Sequence, residues 1–156
     1  MDYIGEYREP FRWASDDLYH PDMKDYVEGN YSADNQLSDK DQNESRLWKY
    51  YEGIRKASTF IQNVDRCSEL TMDEIADMKG QARFLRAYCY WALIRVYGPV
   101  PLIPLEGLDV NLSYEELSLP REHFDNLVDF IDQELAESAR SLPTKRTVNN
   151  LGRPTR

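Results

Sequence analysis

Acidic side chains recur in the stretch between residues 121 and 142, where pairs of carboxylates could act as general acid and general base. They are Asp125, Asp129, Asp132 and Glu137. Acid–base catalysis at neutral pH needs a carboxyl group whose pKa is shifted by burial or by a charged neighbour. These four lie away from the apolar positions of the same stretch, so we expect a solvated helix face. The sequence shows no nucleophile–base pair and no phosphate-binding loop, and we expect no enzymatic activity.

Metal and disulfide chemistry are not expected either. The residues that could supply them are His20, His123, Cys67 and Cys89. Neither histidine stands at ligand spacing from the other or from a cysteine, and two cysteines do not form a disulfide framework. We therefore predict no metal and no cofactor, with Cys67 in a loop and Cys89 on the buried face of a helix.

Aromatic and amide side chains in the segment 11–45 offer a third kind of chemistry. The segment is rich in Asp, Asn and Ser and is interrupted by Pro21 and Gly29, which predicts a long irregular loop. Such loops are usually either functional or disordered. Sugar rings stack their C–H faces on aromatic side chains, and carboxylates and amides bind sugar hydroxyls. The candidate ligand contacts are Trp13, Tyr26 and Tyr31. The alternative is that aromatic residues of this segment only anchor the loop to the helices.

Length and charge narrow the possible functions. The chain has 156 residues, of which 41% are hydrophobic and 30% charged, which fits one domain or part of one. The net charge of −9 argues against nucleic acid and against an anionic lipid surface as partners. The sequence contains no run of about 18 apolar residues, so we predict no transmembrane segment. The first residues lack the basic and apolar regions of a signal peptide.

The stretch from Thr71 to Gly98 predicts the central helix. Thr71 and Glu74 have the spacing of a capping box, and Gly98 before Pro99 is typical of a helix end, with the glycine in a left-handed conformation. One apolar face follows steps of three and four residues: Ile75, Met78, Ala82, Leu85, Cys89, Ala92 and Val96. A second apolar arc adjoins it: Phe84, Ala87, Tyr88, Trp91 and Ile94. A narrow polar stripe remains: Lys79, Arg83, Arg86, Tyr90 and Tyr97. Two apolar sides predict partners on both flanks.

The other segments complete an all-α prediction: an antiparallel, TPR-like bundle of three long helices near 45–64, 71–97 and 121–142, with long irregular loops. The pair of antiparallel helices resembles a tetratricopeptide (TPR) hairpin. No clean self-repeat of about 34 residues is visible, so we call the bundle only TPR-like. Pro99, Pro101 and Pro104 predict an extended strap, buried by the apolar residues between them rather than exposed as a proline-rich peptide ligand. We interpret the chain as one domain or part of one, with five segments. They are 1–44, an N-terminal segment and loop; 45–98, a helical hairpin; 99–120, the strap and a loop; 121–143, the third helix; and 144–156, a tail.

The third helix is predicted to have an apolar face made of Phe124, Leu127, Val128, Ile131, Leu135, Ala139 and Leu142. On the central helix we expect Arg83 and Arg86 to be structural, with partners among carboxylates or carbonyls of the strap or the long loop. Leu85 is predicted to be a core residue.

The stretch GQARFLRAYCYWALIRVYGPVPLIP resembles the signature of the SusD/RagB family, G-E-A-R-F-L-R-A-x-x-Y-x-x-L-x-x-x-[FY]-G-x-[VI]-P-L. The residues carrying this structural signature are Arg83, Phe84, Leu85, Arg86, Gly98 and Pro101. Weaker matches occur around Trp48 and Arg121. Gln81 stands where the family usually has Glu, and Ser58 where it usually has Asn.

The resemblance implies a function that the residues alone do not. Family members are surface-exposed outer-membrane lipoproteins that bind glycans or other nutrients and lid a TonB-dependent, SusC-like transporter. On this basis we expect a non-catalytic glycan- or nutrient-binding component of such an uptake system at the cell outer membrane, represented by its N-terminal part without signal peptide or lipid anchor. The alternative is a TPR-like helical scaffold that binds another protein.

Overall fold

The computed structural model describes residues 28–29, 46–108, 111, 113–150 and 152–156. The chain divides into two units at Ser45, and the described helices all belong to the second unit, Arg46–Arg156. They are α1 (Arg46–Asn63), α2 (Met72–Tyr97), α3 (Tyr114–Leu117) and α4 (Phe124–Ser141), with 3-10 turns at Val64–Arg66 and Val148–Asn150. These residues include no β-strand. None of the described helices is long and apolar enough to cross a membrane.

The three long helices confirm the predicted all-α architecture. α2 packs against both α1 and α4, as expected for a central helix. Between α1 and α2, Ile54 and Leu93 are among the fully buried side chains, and Leu127 joins them from α4. The long loop predicted over residues 11–45 lies outside the described residues, apart from 28–29. The assignment of residues 1–156 to one partial domain stays a prediction.

Local signals set both ends of α2. Thr71 Oγ1 accepts a hydrogen bond from the backbone N–H of Glu74 (3.3 Å), and the Glu74 carboxylate accepts one from the Thr71 N–H (2.8 Å), so the predicted capping box is present. At the other end, Gly98 has φ +66° and ψ −145°. The positive φ agrees with the prediction, but ψ differs from that of a left-handed helical turn. This extended region of positive φ is essentially restricted to glycine, so the residue turns the chain directly into the strap.

The faces of α2 differ from the prediction. Leu85 is 49% exposed, so its assignment to the core is wrong. Tyr88 and Trp91, from the second apolar arc, are also exposed. Arg86 and Tyr90, assigned to the polar stripe, are buried instead. The reason is that polar-tipped side chains can be buried when their tips are hydrogen-bonded, which apolar periodicity cannot detect.

α4 begins three residues later than predicted. His123 is its N-cap, and its Nδ1 accepts a hydrogen bond from the backbone N–H of Asp125 (3.3 Å). The preceding segment, predicted as a loop, contains the single turn α3. Its start repeats the capping-box pattern, because Ser113 and the Glu116 carboxylate bond each other's backbone N–H groups.

α4 approaches α2 closely at Gly80. A Cβ on this glycine would lie 3.2 Å from the Ser138 carbonyl oxygen and 3.2 Å from Leu142 Cγ. Ser138 Oγ donates a hydrogen bond to the Gly80 carbonyl oxygen (2.7 Å). Glycine therefore permits the two backbones to approach, and a buried polar residue of α4 closes the contact.

The apolar face of α4 is only partly buried. Leu127, Ile131 and Leu142 are buried as predicted. Three further members of the predicted face are exposed: Phe124, Val128 and Leu135. Glu134 and Ser138 are buried in their stead, because each has a polar partner on α2. The four acidic residues considered for catalysis are exposed, as expected: Asp125, Asp129, Asp132 and Glu137.

Candidate functional site

The strap, residues 99–104, is held along its length by side chains of α1 and α2. The Tyr51 hydroxyl donates to the Pro101 carbonyl oxygen (2.8 Å). The backbone N–H of Ile103 donates to the Tyr90 hydroxyl (2.9 Å), and Arg86 Nη2 donates to the Ile103 carbonyl oxygen (3.0 Å). An extended segment with three prolines has few N–H groups to pair in a sheet, so these side chains replace a ladder of backbone bonds.

Arg86 joins the strap to α4 as well. Its side chain is 3% exposed, and its Nη1 lies 3.6 Å from Glu134 Oε1. The same carboxylate oxygen accepts a hydrogen bond from Arg83 Nη1 at 2.6 Å. The guanidinium carbon of Arg86 lies 4.9 Å from the centroid of the Phe130 ring, a cation–π contact. One carboxylate thus compensates two guanidinium groups, one buried and one partly exposed.

Burial strengthens the preference of the two strap tyrosines for the protonated hydroxyl, which tyrosine already has at neutral pH. Burial raises the pKa of Tyr90, and burial together with the neighbouring Tyr90 raises that of Tyr51 well above its usual range. Both hydroxyls therefore stay protonated at physiological pH. Tyr51 can then donate to Pro101, and Tyr90 still accepts from Ile103.

Arg121 and Gln62, for which the sequence predicts no contact, fix the two ends of the strap. Arg121 Nη1 donates to the carbonyl oxygens of Tyr97 (3.3 Å) and Pro99 (3.1 Å). Gln62 of α1 donates to the Leu105 carbonyl oxygen beyond the other end. Arg121 matches the family pattern, but its contacts could not be predicted from the sequence. Its carbonyl partners lie more than twenty residues away, and any residue type can supply a backbone carbonyl.

A second cluster of polar contacts, centred on Arg146, attaches the tail to α2. Arg146 binds the Asp77 carboxylate through two bonds of 2.6 Å and donates to the Pro154 carbonyl oxygen (2.9 Å). The hydrogen bonds from Arg146 hold the pKa of Asp77 below its usual range. Gln81, at the position where Glu is usual, donates to the same carboxylate (3.0 Å).

These clusters are suited to positioning the strap and the tail. The buried carboxylate of Glu134 faces the guanidinium groups of Arg83 and Arg86. Burial raises the pKa of the Cys89 thiol to about 11, so the thiol is not activated. Within the described part of the chain, no group of three or more His, Cys, Asp or Glu residues could hold a metal ion.

The structure brings together only some of the residues that the sequence singled out as signature or ligand-contact residues. Arg83 and Arg86 meet at Glu134, and Arg86 donates to the strap at the Ile103 carbonyl oxygen. Pro101 of the strap accepts from Tyr51. Gly98 starts the strap, Phe84 is partly buried, and Leu85 points to solvent. The three candidate ligand contacts, Trp13, Tyr26 and Tyr31, lie outside the described residues.

An exposed aromatic group on α2 was not singled out from the sequence. Tyr88 and Trp91 are 41% exposed each, with ring centroids 5.7 Å apart and planes inclined by 35°. The guanidinium carbon of Arg95 lies 4.2 Å from the centroid of the Trp91 ring. Both aromatic residues belong to the second apolar arc, which was predicted to be buried. The sequence pattern alone therefore does not separate them from core residues of α2, and only the structure shows that they are exposed.

The sequence matches the SusD-like family described as starch-binding and associating with the outer membrane, over residues 13–156. The chain belongs to the SusD-like family. A SusD-like protein of Formosa agariphila is 27% identical over 100 residues, which cover 54% of this chain and 19% of that protein.

Solved structures that resemble this chain have the same helical arrangement. A SusD-like protein of Bacteroides fragilis superimposes with a TM-score of 0.61 at 27% identity, over 70% of this chain and 20% of that one. A surface glycan-binding protein of Bacteroides uniformis gives 0.59 at 28% identity, over 70% of this chain and 24% of that one. The SusD-like chain therefore spans about a fifth of the length of these relatives and has their TPR-like fold.

Proposed function

We propose that this SusD-like chain is part of a non-catalytic glycan-binding protein that acts with a SusC-like, TonB-dependent transporter at the outer-membrane surface. The family match over residues 13–156 carries this proposal, because the family is described as starch-binding and associating with the outer membrane. The similarity to a surface glycan-binding protein of B. uniformis supports the ligand class. The buried, mutually compensated ionic groups of α2 and α4 fit a scaffold that positions a binding surface.

The ligand contacts that we propose from this chain are Trp13, Tyr26 and Tyr31. Their rings would stack on sugar faces, and the Asp and Asn residues around them would bind hydroxyl groups. Arg83, Phe84, Leu85, Arg86, Gly98 and Pro101 would form the supporting structure and would not touch the glycan.

Calorimetric titration of the full-length protein with a panel of oligosaccharides, including linear α-glucans, tests this proposal. We expect the double variant Tyr26→Ala/Tyr31→Ala to lose at least tenfold in affinity, because covering a large apolar side chain contributes about 1.5–3 kcal/mol and a tenfold change in affinity corresponds to about 1.4 kcal/mol. Trp48→Ala is a matched control, because Trp48 is an exposed aromatic residue of α1 outside the proposed set. Unchanged affinity in the double variant would remove these two residues from the site. Absence of binding to every glycan would contradict the function itself.

A helical scaffold for a protein partner is the second candidate, and exposed apolar residues on α2 and α4 favour it. The neighbouring reading frames distinguish the two. A TonB-dependent transporter encoded upstream supports nutrient uptake, and pull-down of the transporter with the full-length protein would establish the partnership.

A further inference from the structure

Ser58 and Arg86 each carry a deeply buried polar atom that has no hydrogen-bond partner among the described residues. These atoms are the Ser58 hydroxyl oxygen on α1 and the Nε of Arg86 on α2. Ser58 is 5% exposed and Arg86 is 3% exposed, so bulk solvent reaches neither atom. Buried polar groups in folded proteins are almost always paired with a protein group or with an ordered water molecule. Both atoms therefore require a partner.

Ser58 lies on the side of α1 that holds the strap. On this helix, Tyr51 donates to the Pro101 carbonyl oxygen and Gln62 donates to that of Leu105. At about 100° per residue, Ser58 lies within about 40° of both side chains around the helix axis. It also lies between them along the axis, about 10 Å from Tyr51 and about 6 Å from Gln62. Its hydroxyl group therefore faces the middle of the strap, between Pro101 and Leu105.

Arg86 reaches the same part of the strap from α2. Its Nη2 donates to the Ile103 carbonyl oxygen (3.0 Å), and Ile103 lies midway between Pro101 and Leu105 in the chain. Nε and Nη2 are neighbouring donors of one rigid, planar group, so the Nε–H bond points in about the same direction as the bond from Nη2 to Ile103. The Nε–H of Arg86 and the hydroxyl of Ser58 are thus directed at the strap in the same place.

A water molecule satisfies both atoms better than an ion or a bond within α1. Water can accept from the Nε–H and at the same time donate to the hydroxyl oxygen. A cation would be repelled by the guanidinium group, and the charge of Arg86 is already compensated by the Glu134 carboxylate at 3.6 Å, so no anion is required. The hydroxyl of a helical serine can also turn to the carbonyl oxygen four residues earlier, here that of Ile54. That bond would leave the Nε of Arg86 buried and unpaired.

We propose that Ser58 and Arg86 hold one buried water molecule beneath the strap, beside Ile103. The water accepts a hydrogen bond from Arg86 Nε and donates one to Ser58 Oγ. It links α1 to α2 between the contacts that Tyr51 and Gln62 make with the strap. This inference concerns how the strap is held and does not depend on which ligand the protein binds.

Asparagine at position 58 offers a way to displace the water. Ser58 stands where the SusD/RagB pattern usually has asparagine. The asparagine amide reaches further from the backbone than the serine hydroxyl and carries both an acceptor and donors. In Ser58→Asn, the amide oxygen is expected to accept directly from Arg86 Nε and so to reproduce the hydrogen bond of the water that it displaces.

A high-resolution crystal structure of the full-length protein tests the proposal directly. We expect one ordered water molecule about 2.7–3.2 Å from both Ser58 Oγ and Arg86 Nε. Arg146 is the control, because its side chain is also buried but its Nε donates to the Pro154 carbonyl oxygen (3.1 Å), so we expect no water at that Nε. A direct bond between Ser58 and Arg86, a Ser58 hydroxyl bonded to Ile54, or a water bonded to only one of the two atoms would overturn the proposal.

Thermal unfolding of full-length variants gives a second measurement. We expect Ser58→Asn to raise Tm by a few degrees, because a direct hydrogen bond replaces the water-mediated one and the water is released to solvent. Ser58→Ala removes one partner of the water and should lower Tm. Thr59→Asn is the matched control at an exposed neighbouring position of α1, and it should leave Tm unchanged because Thr and Asn have similar helix propensities. A Ser58→Ala protein as stable as the unmodified protein, or a Ser58→Asn protein no more stable than the control, would contradict the proposal.

Discussion

Replacing Glu134 with glutamine tests whether the ionic cluster between α2 and α4 is an essential part of the fold. Glu134 compensates Arg86, whose side chain is 3% exposed, and Arg83, whose side chain is 31% exposed. After the substitution Arg83 can turn to water, whereas the buried Arg86 loses the negative charge beside it and keeps its hydrogen bond to the Ile103 carbonyl oxygen. Removing one member of a buried pair costs about 3–5 kcal/mol. The glutamine oxygen still accepts one hydrogen bond, so we expect a loss of about 2–4 kcal/mol in the free energy of unfolding.

Urea denaturation of the 156-residue chain, followed by circular dichroism, measures this loss. The midpoint should fall while the slope of free energy against urea stays constant, because the packing of the folded state is otherwise retained. Glu137→Gln is the matched control on the same helix. Glu137 pairs with Arg140 at the surface, where such pairs contribute about 0–1 kcal/mol.

A double-mutant cycle then isolates the interaction. Arg86→Met combined with Glu134→Leu removes both charges, so the combined loss should be smaller than the sum of the two single losses. Losses that simply add, or a Glu134→Gln loss no larger than that of the control, would refute the reasoning.

Two further predictions address the core and the tail. Leu93→Ala should cost about 2–5 kcal/mol because Leu93 is fully buried, whereas Leu85→Ala should cost less than about 1 kcal/mol because half of its side chain is already in water; equal losses in chemical denaturation would contradict the assigned faces of α2. Because the hydrogen bonds from Arg146 lower the pKa of Asp77, this pair should stabilise the fold at pH values above the ordinary carboxyl value of 3.8 and lose that contribution as the pH falls through the lower folded-state pKa. In Asp77→Asn, the contribution should be absent at neutral pH, and the stability difference from the unmodified chain should vanish in acid; a pH-independent difference would refute it.

Helix positions were predictable because their signals are local. α1 and α2 were predicted at 45–64 and 71–97 and occur at Arg46–Asn63 and Met72–Tyr97. Capping pairs such as Thr71 and Glu74 lie within one turn of each other, so the residues that end a helix are visible in the sequence itself. Ser113 and Glu116 have the same spacing, so the sequence also contains the start signal of the short helix α3.

The candidate binding residues show a different limit. Trp13, Tyr26 and Tyr31 were chosen for their chemistry, which a sequence displays directly. Ring stacking on a sugar also requires a particular orientation and spacing, and these depend on how the segment folds. Their role therefore stays a prediction.

The sequence by itself determined where the helices lie, that they are amphipathic, and which family the chain resembles. Only the tertiary structure decided which side of α2 is buried. Periodicity counts Arg86 as polar and Leu85 as apolar, yet the structure buries the first and exposes the second. Arg86 can be buried because Ile103 and Glu134, distant in sequence, receive its guanidinium group. The free energy of burying a polar side chain depends on partners that only the folded chain brings into contact.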